Sequence, residues 1–329
     1  MRQVVVFRGV LWVPRGRKGH ARVAILTVIT EEMDEAIHVL GATEEVGITG
    51  YFTSKEALAE GIGCLPFVIC RMSDRSNGPA SESARTLMED WRPETILLVG
   101  IAGGIRRLST ASVPQMLDDG PELGDVVLAT MVHFGDYGKA LPGGFIPRWL
   151  PLVHPPKRLL STHGEGMRLK QEWSNGILHW PKVEPPKLHM GEIVAVEAVA
   201  GNPYSSRQRQ LINYFDKAIA IDMESKGVAE ALADYDVGVH YHPRWMCIRG
   251  ISDLVVGSGP AAKLIGGSNA EQRDFWRRAA ARSAAMAARY LLIRLLSKET
   301  ISHPAQPRRP AWPYANQIGM SDLDATVGT

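Results

Sequence analysis

Ala220-Ile221-Asp222-Met223-Glu224-Ser225-Lys226-Gly227-Val228-Ala229, followed by Cys247-Ile248-Arg249-Gly250-Ile251-Ser252-Asp253, decides the reading of this 329-residue chain. Each half is an apolar run that breaks abruptly into polar residues, which places Glu224, Ser252 and Asp253 at strand ends. Open α/β sheets bind ligands beyond the carboxyl ends of their strands, so the chemistry is expected there.

Outward from these runs, short β-rich stretches alternate with helical ones, the pattern of a mostly parallel sheet covered by helices. Strands are predicted over 22–28, 67–70, 95–99, 125–132, 190–196, 217–221 and 245–251. Helices are predicted from Thr30, with that hydroxyl as cap and Glu31 and Glu32 in the first turn, and over 81–91, 206–215 and 225–233. A long amphipathic helix over 271–296 is read from Phe275, Ala279, Met286, Tyr290, Ile293 and Leu296. Gly100-Ile101-Ala102-Gly103-Gly104 reads as a glycine-rich turn after the third strand. Residues 145–180, rich in Pro, His, Trp and Gly, read as an irregular excursion over the site.

The breaker-rich basic stretch Pro14-Arg15-Gly16-Arg17-Lys18-Gly19 sets off residues 1–20 as an arm, leaving 21–298 as one domain and 299–329 as a disordered tail. A hydrophobic content of 45% is ample for a core. Net charge is +2, with no basic stripe, which argues against a nucleic-acid partner. Three cysteines without metal spacing, no cleavable leader and no apolar run of membrane-spanning length point to the cytoplasm and away from membranes. His240 and His242 share no spacing with further ligands, so no metal is expected, and Gly100 to Gly104 lacks the GxGxxG spacing of a dinucleotide site, so no organic cofactor is expected either.

Taken alone, Ser252-Asp253 reads as a turn or cap, and Met223-Glu224 as a core methionine beside a first-turn acid. Five blocks in one order change the weighing: Glu31-Glu32, Val99 to Gly104, Leu123-Gly124-Asp125-Val126-Val127, Asp222 to Ala229, and Ile248 to Asp253. Together they resemble the nucleoside phosphorylase superfamily, and most closely its hydrolytic branch, the methylthioadenosine/S-adenosylhomocysteine nucleosidases. The resemblance covers about Arg22 to Leu296. It implies a three-layer phosphorylase-type α/β sandwich, a twisted mixed sheet with helices on both faces, and commonly a homo-oligomer.

The resemblance further implies hydrolysis of the N-glycosidic bond of a purine nucleoside or nucleotide. Glu32 would activate water and Asp253, kept protonated by a partly apolar site, would serve the leaving base. Glu224, with Met223 against the sugar, would accept from the ribose hydroxyls, Arg249 would support Glu224, and Ser252 would orient Asp253. Ala102 and Gly103 would approach the ribose. Val199 stands where an aromatic often stacks on the purine, and Ala195-Val196 replaces a small Thr/Ser-Gly pair.

Two departures bear on the nucleophile. Leu98 occupies the place of an arginine in the hexameric phosphate-using enzymes, and Thr27 to Glu32 replaces their Gly-Asp-Pro-x-Arg loop, so water is favoured over phosphate. His133-Phe134-Gly135-Asp136-Tyr137-Gly138-Lys139 resembles a loop of nucleosidase domains in bacterial conflict and signalling proteins, with Lys139, Arg106 and Arg107 as candidates for a 5′-phosphate. The competing readings are a phosphorylase and a module that binds a nucleoside or nucleotide without turning it over.

Overall fold

Side chains alternate between two apolar faces along the central strands, and that alternation fixes the layers. The computed structural model describes residues 6–7, 10–11, 19–47, 50–61, 63–107, 120–142, 144–177, 180–198, 205–238, 241–256 and 268–297. In chain order the elements are β1 (Val6–Phe7), β2 (Val10–Leu11), β3 (Ala21–Thr27), α1 (Thr30–Leu40), β4 (Glu44–Glu45), β5 (Tyr51–Thr53) and α2 (Lys55–Glu60). There follow β6 (Leu65–Arg71), α3 (Asn77–Trp91), β7 (Thr95–Arg106), β8 (Val126–Phe134), β9 (Gly138–Leu141), β10 (Gly144–Pro147), α4 (Lys157–Leu159) and α5 (Glu165–Lys170). The last are β11 (Leu188–Ala195), α6 (Ser206–Tyr214), β12 (Ala218–Asp222), α7 (Ser225–Gly238), β13 (Arg244–Val256) and α8 (Asn269–Leu296). The compact unit ends at Leu296.

The main sheet runs β12-β11-β8-β13-β7-β3-β6-β5-β4, parallel except where β13 meets β8 and at the β6-β5-β4 edge. On one face Ala24, Leu26, Ile96, Leu98, Trp245 and Cys247 pack with α3 and α7. On the other, Val23, Ile25, Leu97, Val99, Met246 and Ile248 pack with α1 and α8. This is the expected three-layer α/β sandwich with a mixed sheet. Period-two burial on both faces is what a central strand between helix layers demands.

β7 does not turn at its glycines. It continues to Arg106, and an antiparallel pairing of Ala220 with Gly104 and Ile221 with Gly103 brings β12 onto its far end. That pairing closes β12, β11, β8, β13 and β7 into a ring. β13 likewise runs straight through Ser252 and Asp253 to Val256, with a register shift against β7 between Ile251 and Asp253. Such a bulge re-aims a side chain within a strand. Asp253 is therefore delivered by an irregularity inside a strand, and the strand-end expectation for Ser252 and Asp253 is corrected.

Three further expectations change. Residues 145–180 form the β10 arm of a hairpin and a helical stretch in which α4 and α5 are joined by a π-turn, Leu160–Gly164. Leu159, Leu160, Met167 and Trp173 pack into the α1/α8 face of the core, and none of the described residues of the stretch lines the cavity described below. In α8 the buried stripe is Trp276, Ala280, Ala284, Ala287, Ala288 and Leu291, whereas Phe275 and Ile293 are exposed. Small residues are required there: a Cβ on Gly250 would lie 1.9 Å from the Ala280 carbonyl oxygen. The α3 helix begins at Asn77, four residues before the predicted start.

Candidate active site

Glu32, Glu224 and Asp253 come from three distant parts of the chain and line one cavity of about 110 Å³. Ala102, Gly103, Met223 and Ser252 line it as well, together with Arg75, Arg273 and Arg277. Arg249 lies fully buried behind it. Val199 and His240 fall outside the described residues.

Glu32 stands in the first turn of α1. The helix is not capped by the Thr30 hydroxyl, which instead accepts from Arg71 Nη1 at 2.8 Å; the N-cap is Ile29, which makes no side-chain cap bond. Glu32 takes over that role. Its Oε2 accepts from the N–H groups of Val28 and Ile29 at 2.7 and 3.0 Å, and its Oε1 from Ile101 N–H at 2.8 Å. The carboxyl thus ties the start of α1 to β7. Burial pushes its pKa up, against the opposing pull of Arg249 and these N–H donors.

The Arg249 guanidinium, on the α3/α7 side of the sheet, organises the carboxylates. Its Nε donates to Asp222 Oδ2 at 2.9 Å, and its Nη2 reaches Asp222 Oδ2 at 2.7 Å and Glu224 Oε2 at 3.2 Å. Asp222 Oδ1 accepts from the Ser225 hydroxyl and N–H, which caps α7 and so sets Glu224 at the β12–α7 corner. The Arg249 Nη1 atom is buried without a partner among the described residues. A Cβ on Gly100 would lie 2.4 Å from that Nη1 and 2.7 Å from Glu32 Oε1, so only glycine lets the two close over β7.

Glu224 has a second anchor in Ser76, whose N–H donates to Oε1 at 3.4 Å. Ser76 is held at φ 89°, ψ 163°, a region that costs a non-glycine residue on the order of 1–3 kcal/mol. The neighbouring Asn77 fixes this bend: its Oδ1 accepts from Gly227 N–H at 3.0 Å, and its Nδ2 donates to the Val196 carbonyl at 3.3 Å. Burial, then the charges of Asp222 and Glu32, raise the Glu224 pKa to about 7 despite Arg249.

Asp253 is surrounded by donors. Arg273 binds both oxygens, Nε to Oδ1 at 3.1 Å and Nη2 to Oδ2 at 2.8 Å; Asn269 Nδ2 reaches Oδ2 at 3.2 Å and the Ser252 hydroxyl reaches Oδ1 at 2.8 Å. The cavity wall beside it is partly apolar, with Ala102, Ile221 and Val255, and α8, laid against the bulge, adds the charged donors. Arg273 thus grips the carboxyl through two bonds, the fork geometry that suits a guanidinium. Asn269, Arg273 and Arg277 recur at intervals of four, on one helix face, and that spacing is the signal in the sequence that could have found them.

The candidate phosphate contacts do not join the site. Arg107 donates to the carbonyls of Ala218, Ile212 and Phe215, Lys139 is exposed on β9, and neither they nor Arg106 line the cavity. Among the described residues, no cluster of His, Cys, Asp or Glu could hold a metal ion, and no helix is long and apolar enough to cross a membrane.

Comparison with known proteins gives this geometry relatives. The ATP nucleosidase Cap17 of Escherichia coli (strain KTE188) is 26% identical over 248 residues, which is 70% of this chain. The chain spans about half the length of that relative, 46% of it. Among solved structures, the 5′-methylthioadenosine/S-adenosylhomocysteine nucleosidase of Neisseria meningitidis, bound to methylthio-immucillin-A, superposes with a TM-score of 0.57. It is 16% identical, over 82% of this chain and 97% of that one. The futalosine hydrolase of Helicobacter pylori also gives 0.57, at 15% identity over 84% of this chain and 98% of that one. Likeness at these identities shows the fold. The family model described as Phosphorylase superfamily matches residues 22–292, and the chain belongs to that superfamily.

Proposed function

We propose that this protein hydrolyses the N-glycosidic bond of a purine nucleoside or nucleotide, releasing free base and a ribosyl product. The carrying observation is the convergence of Glu32, Glu224 and Asp253 on one cavity. The names of the relatives, an ATP nucleosidase, a methylthioadenosine/S-adenosylhomocysteine nucleosidase and a futalosine hydrolase, support the same reaction class.

In this reading Glu224 accepts from the ribose 2′- and 3′-hydroxyls while Met223 packs on the sugar, and Ala102 and Gly103 let the sugar approach β7. Glu32 takes a proton from the attacking water, whose oxygen bonds to C1′ as the C1′–N bond breaks. The negative charge of Glu224 favours the oxocarbenium character that develops on the ribose. Asp253 meets the departing purine. Because its two oxygens are held by Arg273, Ser252 and Asn269, protonating the leaving nitrogen requires Arg273 to release one oxygen, which takes a proton from water and passes it to the base as the C1′–N bond breaks.

Arg249 acts through Glu224 and is a positioning residue. The catalytic domain spans 21–298; the flanking segments 1–20 and 299–329 lie largely outside the described residues. Three unpaired cysteines, Cys64, Cys70 and Cys247, suit a cytoplasmic protein. Exposed Trp149 and Tyr214 suit a homo-oligomer.

The test is chromatographic detection of free base from a panel of purine nucleosides and nucleotides. Wild type releases base, and Asp253→Asn lowers the rate by about 10²- to 10⁴-fold, the range for a lost proton-transfer group. Binding without base release by wild type would favour a sensing module instead.

A further inference from the structure

A second cavity adjoins the first. It measures about 340 Å³ and is lined by Val28, Ile29, Thr30, Glu31, Arg71, Ser73, Asp74 and Arg75. Val28, Ile29 and Arg75 belong to both cavities, so the two are lobes of one depression with a shared wall. The lobes differ in chemistry. The inner one presents three carboxylates whose counter-charges, Arg249 and Arg273, are already engaged with Asp222, Glu224 and Asp253. The outer one presents cations at its rim.

Three arginines face this region. Arg75 is exposed at the shared wall, where, after the hydrogen bond from Arg277, its charge also acts on Glu31 and helps lower that carboxyl's pKa. Arg71 is exposed and is laid across the lip by its bond to the Thr30 hydroxyl at 2.8 Å. Arg277 lines the inner lobe, pairs with Glu31 at 2.9 Å and keeps a buried Nε–H without a partner among the described residues. Of the acids lining the lobe, Glu31 is held by Arg277, while Asp74, whose Oδ1 accepts from the Arg75 backbone N–H at 2.7 Å, leaves two arginines against one unpaired carboxylate. The start of α1, an eleven-residue helix, also opens here and adds a positive dipole end.

Position gives the cationic lobe its meaning. If Glu224 holds the 2′- and 3′-hydroxyls and Asp253 the base, C5′ is the sugar's remaining way out. Arg75 precedes Ser76, whose N–H anchors Glu224, so the ribose grip and the shared wall are one turn of chain. We propose that the outer lobe receives the 5′-phosphate chain, with Arg75 and Arg71 as its principal contacts, and that the substrate is a 5′-phosphorylated purine nucleotide in preference to its nucleoside. This rests on the nucleosidase reading given above. It replaces Lys139, Arg106 and Arg107 with residues that line the depression.

The experiment compares kcat/KM for adenosine, adenosine 5′-monophosphate and adenosine 5′-triphosphate, with guanosine and its triphosphate in parallel. Wild type prefers triphosphate over nucleoside by about a hundredfold or more, as expected for two charge-assisted contacts of about tenfold each. Arg75→Ala and Arg71→Ala each reduce that ratio about tenfold, the double variant abolishes most of it, and Lys139→Ala leaves it alone. Added salt narrows the wild-type preference. Equal use of nucleoside and nucleotide by wild type, or a ratio unmoved in the double variant, overturns the subsite and leaves the nucleosidase reading standing. If no compound releases base, that reading fails separately, and calorimetry decides the subsite. Adenosine triphosphate bound at least tenfold tighter than adenosine, with the gain lost in the double variant, supports it; equal binding overturns it.

Discussion

Replacing Arg249 with methionine removes the only guanidinium in contact with two buried carboxylates among the described residues, and its consequence can be worked from the structure. Arg249 and Asp222 are both fully buried as side chains and Glu224 nearly so. Breaking a buried pair by deleting one partner costs about 3–5 kcal/mol, because a charge is left uncompensated. The loss has a pH signature. Arg249 lowers the pKa of both Glu224 and Glu32, so in Arg249→Met both rise further and the groups are protonated at higher pH. Each pKa unit is worth about 1.4 kcal/mol where the group must ionise. The variant should therefore be hurt most at pH 8 and less at pH 6. At roughly 2–4 °C per kcal/mol for a chain of this class, thermal unfolding followed by circular dichroism should show a drop of roughly 10 °C at pH 8 and about half that at pH 6. A drop below about 3 °C, or one of equal size at the two pH values, would refute the idea that Arg249 neutralises this cluster.

Other expectations follow from the same contacts. Glu224 accepts from both ribose hydroxyls with full negative charge when ionised, so kcat/KM should rise with pH through a midpoint near the group's value of about 7 to a plateau and fall about tenfold per unit below it. The stability effect of this group has the opposite sign. A carboxyl raised from 4.5 binds its proton more tightly when folded, so its contribution is full below 4.5 and lost as pH rises to about 7, which urea titrations across that range would register. Removing the like charge with Glu32→Gln should lower the Glu224 midpoint, read from the pH dependence of binding an uncleaved nucleoside analogue. Gly100→Ala should displace Glu32 or Arg249 Nη1 by some tenths of an ångström to an ångström and cost about 10²-fold in kcat with the fold retained by circular dichroism.

Much of this architecture was legible in the sequence, because buried strands and motif order leave local marks. The apolar runs at β3, β6, β7 and β12 announce central strands, and Glu32, Met223, Glu224, Ser252 and Asp253, placed by motif order, all reach one cavity. What escaped depends on contacts between distant segments. Nothing local to Gly100–Gly104 says that β12 will pair with β7 there and keep the glycines extended. The bulge that aims Asp253 exists only as a mismatch between two strands. The α8 stripe was misread because close approach to Gly250 calls for alanine, while periodicity arguments favour the larger Phe275 and Ile293. Nor does anything near Asp253 announce Arg273, twenty residues later, whose charge arrives through tertiary packing.

Product analysis in 18O-labelled water with phosphate present tests the central claim most directly. Three converging carboxylates with water as nucleophile predict free purine and a ribosyl product carrying 18O at C1′, with the yield collapsing in Glu32→Gln. A sugar 1-phosphate without label at C1′, or base release that survives loss of Glu32, would contradict it.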